Sequence, residues 1–275
     1  MTEAVRPVTV AGQVIGGERL ALIAGPCVLE EPSVAREAAV RLRDMAGELG
    51  VPFIFKASFD KANRTSVTSY RGPGLERGLE ILARIKAEVG VPVVSDVHDP
   101  AQAARAAEVL DMLQVPAFLC RQTDLLVAVG ETGLPVNVKK GQFLAPDDMQ
   151  HCLGKVRSTG NERITLCERG STFGYHNLVV DMRGLVIMRG FGYPVVFDAT
   201  HSVQLPSGGG GKSSGERQFV APLARAAIAA GADALFAEVH PNPEAALCDG
   251  PNMLPLDEVA PLLRALLEVR SACRS

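Results

Sequence analysis

Four side chains of the kind that bind metals, Cys27, His201, Glu238 and Asp249, close or follow apolar runs in this chain (LALIAGPC, VVFDATH, ALFAEVH and the CDGP segment after it). A thiol, an imidazole and two carboxylates form a donor set suited to a divalent transition ion such as Zn²⁺, Fe²⁺ or Mn²⁺. A second group is cationic. The segment FKASFDKANRTS carries Lys56, Lys61 and Arg64, with Asn63 and Thr65 as neutral donors. Arg121, Lys139 and Arg169 end or follow later apolar runs. Arginine forks match phosphate oxygens and lysine acts as a point charge. Such cations repel one another on a shared rim unless an anion lies between them, so the pattern predicts a phosphate or carboxylate ligand. Lys139 and Lys140 must point to opposite faces of a strand, so only one of them can serve that site. The run Ser207 to Ser213 looks like a Walker A phosphate loop, but Pro206 occupies the position where that pattern needs glycine. Residues 203–215 read better as a lid loop.

The elements that must position these groups repeat. Eight short apolar runs end at Cys27, Lys56, Asp96, Gln114, Lys139, Arg169, His201 and Glu238. Each is followed by a stretch with helical periodicity, at 34–50, 74–89, 100–109, 121–132, 146–158, 177–189, 216–230 and 256–271. The runs are apolar without strict alternation, as in strands covered on both faces. The pattern predicts an α/β fold, a (β/α)₈ TIM barrel in one domain over residues 1–275. In such a barrel all eight carboxyl ends share one face, and strand eight pairs with strand one. Cys27, His201 and Glu238 would then be neighbours. Residues 7–20 hold an alternating run and a Gly-Gly pair, read as a hairpin that plugs the amino-terminal end of the barrel.

Composition narrows the function classes. The 275 residues fit one barrel, and 47% apolar with 21% charged residues is ordinary for a globular domain. A net charge of −3 argues against general nucleic-acid binding, while a locally basic cleft suits a small anion. The six cysteines show no C-x-x-C spacing, so neither a disulfide framework nor a zinc ribbon is expected. No apolar stretch approaches the ~20 residues that span a bilayer, and the start lacks a signal-peptide pattern. A cytoplasmic setting without membrane partners is the expectation.

The motifs IAGPC, FKASFDKANRTS, SDVH, FLCRQTDLL, NVKKGQF, FDATHSVQLP and EVHPNPEAALCDGP resemble the 3-deoxy-D-manno-octulosonate 8-phosphate synthases over residues 20–260. The resemblance implies a (β/α)₈ homotetramer that condenses phosphoenolpyruvate with D-arabinose 5-phosphate and water, releasing phosphate, for lipopolysaccharide biosynthesis. A related synthase using erythrose 4-phosphate is the alternative. It further implies that Lys56, Lys61, Gln114, Arg121, Lys139 and Arg169 hold phosphoenolpyruvate. Asn63, Arg64, Thr65 and Ser66 would clamp the sugar phosphate, and Asp96 would lie at its aldehyde end. Lys61, Asp96, His201 and Asp249 would be catalytic. Cys27, His201, Glu238 and Asp249 match the ligands of the metal-dependent class; metal-independent relatives carry asparagine in place of Cys27. The CDGP segment resembles the metal-independent class, whereas the glycine-rich lid resembles the metal-dependent one.

Overall fold

A computed structural model of the chain describes residues 5–63, 66–206, 208 and 214–274. Arg64 and Thr65 of the proposed sugar clamp lie outside the described residues, as do 207 and 209–213 of the glycine run. An antiparallel hairpin, β1 (Val8–Val10) and β2 (Gln13–Ile15), precedes the barrel. The barrel strands are β3 (Ala21–Gly25), β4 (Phe53–Lys56), β5 (Val93–Asp96), β6 (Met112–Val115), β7 (Val136–Lys139), β8 (Ile164–Glu168) and β9 (Val195–Asp198). Two short pieces, β10 (Gln204–Leu205) and β11 (Ser214–Gly215), pair on either side of the glycine run. The eighth barrel strand is β12 (Ala234–His240), with β13 (Leu254–Pro255) beside it. The barrel strands are parallel, and β12 closes the ring by pairing with both β9 and β3.

The helices are α1 (Pro32–Glu48), α2 (Leu75–Val89), α3 (Pro100–Ala107), α4 (Thr123–Glu131), α5 (Met149–Arg157), α6 (Arg183–Arg189), α7 (Val220–Ala229) and α8 (Leu256–Arg274). Local chemistry sets their ends. Asp99 caps α3 by accepting from the Ala101 amide at 2.9 Å, and Gly90 closes α2 with φ of 75°. The sixth helix is shorter than its periodicity predicts. Residues 177–182 are held as a loop by the Ser171–Val179 bridge and by the Asp181 carboxylate, which accepts from the Arg183 amide at 3.0 Å. No helix among the described residues is long and apolar enough to cross a membrane.

Strand parity builds two cores. Residues such as Leu22, Phe53, Phe55, Leu113, Val138, Leu166 and Phe197 point outward and pack under the helices. Their neighbours Ile23, Ile54, Val94, Met112, Val196 and Phe236 point inward, and Val8, Val10 and Ile15 of the hairpin complete that inner cluster. The hairpin therefore seals the amino-terminal end of the barrel. Two residues further along each strand the same inward parity delivers side chains to the opposite end. Ile54 leads to Lys56, Val94 to Asp96, Met112 to Gln114, and Phe236 to Glu238. An apolar floor is thus converted into a polar mouth within one strand length.

Candidate active site

At that mouth a cavity of about 850 Å³ is lined by Lys56, Lys61, Asp96, Lys139, Arg169, His201, Glu238 and Asp249, among others. Beneath it runs a buried hydrogen-bond relay built from inward positions of successive strands. The Thr165 hydroxyl donates to Asn137 Oδ1 at 2.8 Å, and the Asn137 amide donates to Gln114 Oε1 at 2.8 Å. The Gln114 amide in turn donates to Asp96 Oδ1 at 2.7 Å. The Ser58 hydroxyl donates to the other oxygen of Asp96. All these donors point toward one carboxylate. Burial would raise the Asp96 pKa, but Lys56, Lys61 and Lys139 hold it well below the usual carboxylate range. Gln114 is therefore fully buried with both ends of its amide engaged, and it supports Asp96 from below the cavity.

The cations converge as their chemistry predicts, with one exception. Lys56 Nζ donates to Glu238 Oε1 at 2.9 Å and to the Cys27 carbonyl at 3.0 Å. That approach needs Gly25: a Cβ there would stand 2.0 Å from the Lys56 carbonyl oxygen. Lys61 Nζ reaches the same Glu238 oxygen at 3.2 Å. Burial alone would lower the Lys61 pKa, but the neighbouring Cys27 sulfur and Glu238 carboxylate raise it well above the usual lysine value. Lys139 Nζ donates to Asp198 Oδ2 at 2.6 Å and sits 3.8 Å above the Phe236 ring centre. Arg169 is buried and donates through Nη2 to Gln204 Oε1 at 3.1 Å, while its Nη1 has no hydrogen-bond partner among the described residues. Burial lowers the Arg169 pKa. A buried guanidinium with an unmatched donor at a cavity wall is a ready anion site. Arg121 is the exception: it is exposed and does not line the cavity. Lys140 points away from the barrel, as strand parity requires, and ties down the loop after β8 through Ser171 Oγ at 3.0 Å.

The opposite wall carries the ligand-type groups. Donor atoms of Cys27, Cys248 and Asp249 lie within 4.8 Å of one another, and so do those of His201, Glu238 and Asp249. Asp249 joins the two triads from a left-handed backbone position, φ 49°. Glu238 gives Oε1 to the lysines, while Oε2 is buried without a hydrogen-bond partner among the described residues and stands 3.6 Å from His201 Nε2. Burial would raise the Glu238 pKa, yet Lys56 and Lys61 hold it well below the carboxylate range. Burial pushes the Cys27 thiol well up, reinforced by Cys248 and by the charge of Glu238. A crowd of sulfur and carboxylate donors with one unmatched oxygen fits a divalent transition cation in chemical type.

The sequence reading misplaces the origin of His201. Strand β9 ends at Asp198, and His201 enters the site from a 3₁₀ turn, His201–Val203. This makes Asp198 a central residue that the sequence reading overlooked. It is fully buried, accepts from Lys139, and faces His201 Nδ1 at 2.8 Å. Burial would raise its pKa, but His201 and Lys139 depress it strongly. A carboxylate three residues before His201 in FDATH was the available signal. Cys248, Gln204 and His98, the last beside Asp96, also line the cavity, and none of them stands out by type or spacing in the sequence. Asn63 and Ser66 also line the cavity.

Comparison with known proteins matches a model of the DAHP synthetase I family to residues 6–275. The 2-dehydro-3-deoxyphosphooctonate aldolase of Syntrophotalea carbinolica is 61% identical over 254 residues, 92% of this chain and 92% of that protein. Its namesake from Geobacter metallireducens is 60% identical over 262 residues, 95% of this chain and 96% of that protein. The one from Desulfotalea psychrophila is 59% identical over 256 residues, 93% of this chain and 91% of that protein.

Proposed function

The chain belongs to the DAHP synthetase I family, and from that membership we propose that it condenses phosphoenolpyruvate with D-arabinose 5-phosphate and water. The products are 3-deoxy-D-manno-octulosonate 8-phosphate and inorganic phosphate, on the route to lipopolysaccharide. The observation that carries the substrate choice is about 60% identity to the named aldolases over more than nine-tenths of both chains. The geometry agrees with an acceptor for two anions: Lys61, Lys139 and Arg169, whose Nη1 is unmatched among the described residues, line one cavity.

In the reaction, C3 of phosphoenolpyruvate attacks the aldehyde carbon of the open-chain sugar. Water adds at C2, and the resulting hemiketal phosphate collapses with C–O cleavage. Lys139 and Arg169 hold the enolpyruvate anion. Lys61 keeps its proton on Nζ, so it binds charge and does not act as a base. Asp96, kept ionised by Lys56, Lys61 and Lys139 against its burial, accepts from the sugar end. Asn63, Arg64, Thr65 and Ser66 clamp the sugar phosphate. Preorganised cations of this kind offset the charge that moves to the departing phosphate. Holding both substrates in attacking geometry removes up to roughly 7–11 kcal/mol of barrier.

Cys27, His201, Glu238 and Asp249 would hold the divalent metal, Zn²⁺, Fe²⁺ or Mn²⁺. When bound it supplies Lewis acidity toward the aldehyde oxygen or orients a water. His201 would present Nε2, since Nδ1 faces Asp198. A Schiff-base aldolase on Lys139 is disfavoured, because Asp198 raises that lysine's pKa and keeps it protonated. The homotetramer follows from the resemblance, and the exposed rings of Phe118, Phe143, Phe173 and Tyr175 suit burial against a further copy of the chain; the cytoplasmic site of action remains an expectation from the sequence.

The test is phosphate release from phosphoenolpyruvate with arabinose 5-phosphate and erythrose 4-phosphate run in parallel. Turnover with the five-carbon sugar is expected. Turnover confined to erythrose 4-phosphate, or none from a folded protein supplied with each metal, would overturn the assignment.

A further inference from the structure

Lys139 and Arg169, the cations assigned to the enolpyruvate anion, come from the adjacent strands β7 and β8. Each has a charged neighbour that does not line the cavity: Lys140 follows Lys139, and Glu168 precedes Arg169. Strand parity turns both outward, toward the helical layer, where they are 0% and 2% exposed. Lys140 Nζ sits among oxygens from two loops. On its own loop it donates to the Gly141 and Leu144 carbonyls at 3.3 and 3.4 Å. Across to the loop after β8 it donates to Ser171 Oγ at 3.0 Å and to the Gly170 carbonyl at 3.5 Å, with Glu168 Oε1 also at 3.5 Å. That same Glu168 oxygen accepts from the Arg169 amide at 3.0 Å and from the Gly170 amide at 2.7 Å. Helix α6 closes over the carboxylate: a Cβ at Gly184 would stand 3.3 Å from Glu168 Oε2.

We propose that Lys140 and Glu168 are positioning residues for phosphoenolpyruvate: the pair locks the ends of β7 and β8 together, so that Lys139 and Arg169 converge on one anion. An anion reaches both cations only if the two strand ends keep one spacing. A misplacement of about 1 Å in such a group can cost up to ~10²-fold in rate. The lock is rigid because it is buried. Each member depends on its partner and on main-chain groups for solvation, so swinging away would strand a charge. The two amides after Glu168 are pinned to its carboxylate, which fixes where the Arg169 side chain leaves the backbone. A second tie, the Thr172 amide donating to the Gln142 carbonyl at 3.0 Å, joins the same loops farther along the chain. The sugar clamp stands apart from this lock, since Asn63 and Ser66 belong to the loop after β4. The inference rests on the reading that Lys139 and Arg169 hold phosphoenolpyruvate.

The test uses full-length wild type, Lys140→Met and the double variant Lys140→Met/Glu168→Gln. Titration calorimetry gives Kd for phosphoenolpyruvate, and phosphate release gives KM for each substrate. Lys140→Met should raise Kd and KM for phosphoenolpyruvate by about 3–30-fold, the range for a residue that acts on a ligand it does not touch. KM for arabinose 5-phosphate should change by less than about twofold, because its clamp lies on another loop. Tm of Lys140→Met should fall, since Glu168 is left buried without its cation. The double variant removes both charges, so it should regain much of that Tm yet keep the raised Kd; it carries the comparison if Lys140→Met does not fold. A merely structural role would lower kcat through lost folded protein and leave both KM values in place. That result, equal rises in both KM values, or a double variant whose Kd returns to the wild-type value with its Tm would overturn the proposal. Wild-type protein that binds no phosphoenolpyruvate would refute the substrate reading and the positioning role with it. Equal binding by wild type and the variants would refute the positioning role alone.

Discussion

Replacing Asp198 with asparagine tests the buried charge network most directly. Asp198 Oδ2 lies 2.6 Å from Lys139 Nζ and 2.8 Å from His201 Nδ1, and Oδ1 accepts from the His201 amide at 3.0 Å. Both Asp198 and Lys139 are buried, so removing one charge strands the other in a poorly solvated place. Breaking a buried pair in this way costs about 3–5 kcal/mol. With an unfolding entropy of about 2.1 cal/mol/K per residue, a 275-residue chain has about 0.6 kcal/mol/K, so Tm should fall by about 5–9 °C. The carboxylate also fixes which ring nitrogen of His201 faces the cavity, and losing such a partner typically lowers metal affinity or activity about 10–100-fold. The sign with pH follows from both partners. The depressed Asp198 pKa gives stability that is complete above its unfolded value of about 3.9 and is lost as pH falls toward the folded one. The raised Lys139 pKa gives stability that is complete below about 10.4 and is lost as pH rises through the folded value. The Tm gap between wild type and Asp198→Asn should therefore be flat from about pH 5 to 9 and shrink below about pH 4. Scanning calorimetry across that range, with the double variant Lys139→Met/Asp198→Asn alongside, is the assay. The double variant should recover part of the lost stability but none of the activity. If it is no more stable than the single variant, the stranded-charge argument is wrong.

Arg169→Lys, which removes the buried fork, should lower kcat/KM for phosphoenolpyruvate by about 10–100-fold with little change in Tm, given about 1.5–3 kcal/mol for a charged hydrogen bond. Unchanged steady-state kinetics would show that the unmatched Nη1 does not meet substrate. Chelation should abolish activity and a divalent metal should restore it, whereas Cys27→Asn should lose the metal yet keep some turnover. A dead but folded Cys27→Asn protein would contradict that. Gly25→Ala should destabilise the barrel by about 3 kcal/mol or more, because its methyl would meet the Lys56 carbonyl; a denaturation midpoint like wild type would refute the close approach. Asp96, Asp198 and Glu238 all have depressed pKa values, so acid titration of stability should steepen below about pH 4, toward about 4 kcal/mol per pH unit if all three protonate together.

Much of this protein is legible in its residues because barrel strands obey a short-range rule. An apolar run buried on both faces, ending in a polar residue and followed by helical periodicity, states its own direction and its own functional end. Eight repetitions fix the architecture, and inward parity alone carries Lys56, Asp96, Lys139 and Glu238 to the mouth. The resemblance to a known family added the substrates, which no periodicity encodes. Where a side chain arrives by some other route, the rule fails. His201 comes from a turn past the end of β9, and Cys248 and Asp249 come from a loop bent at a left-handed residue. Gln114 and Arg121 sit at equally promising sequence positions, yet one is buried under the cavity and the other is exposed outside it. Partnership was also invisible along the chain, because hydrogen bonds and ion pairs form between strands distant in sequence. Barrel closure brings Cys27 to Cys248 and Glu238 to both lysines, and the curvature of the sheet brings Asp198 to Lys139 across β8. The sequence by itself determined which groups reach the catalytic face. The tertiary structure decided which of them neutralise one another and which are left for a ligand, because charge pairing depends on distances across the ring.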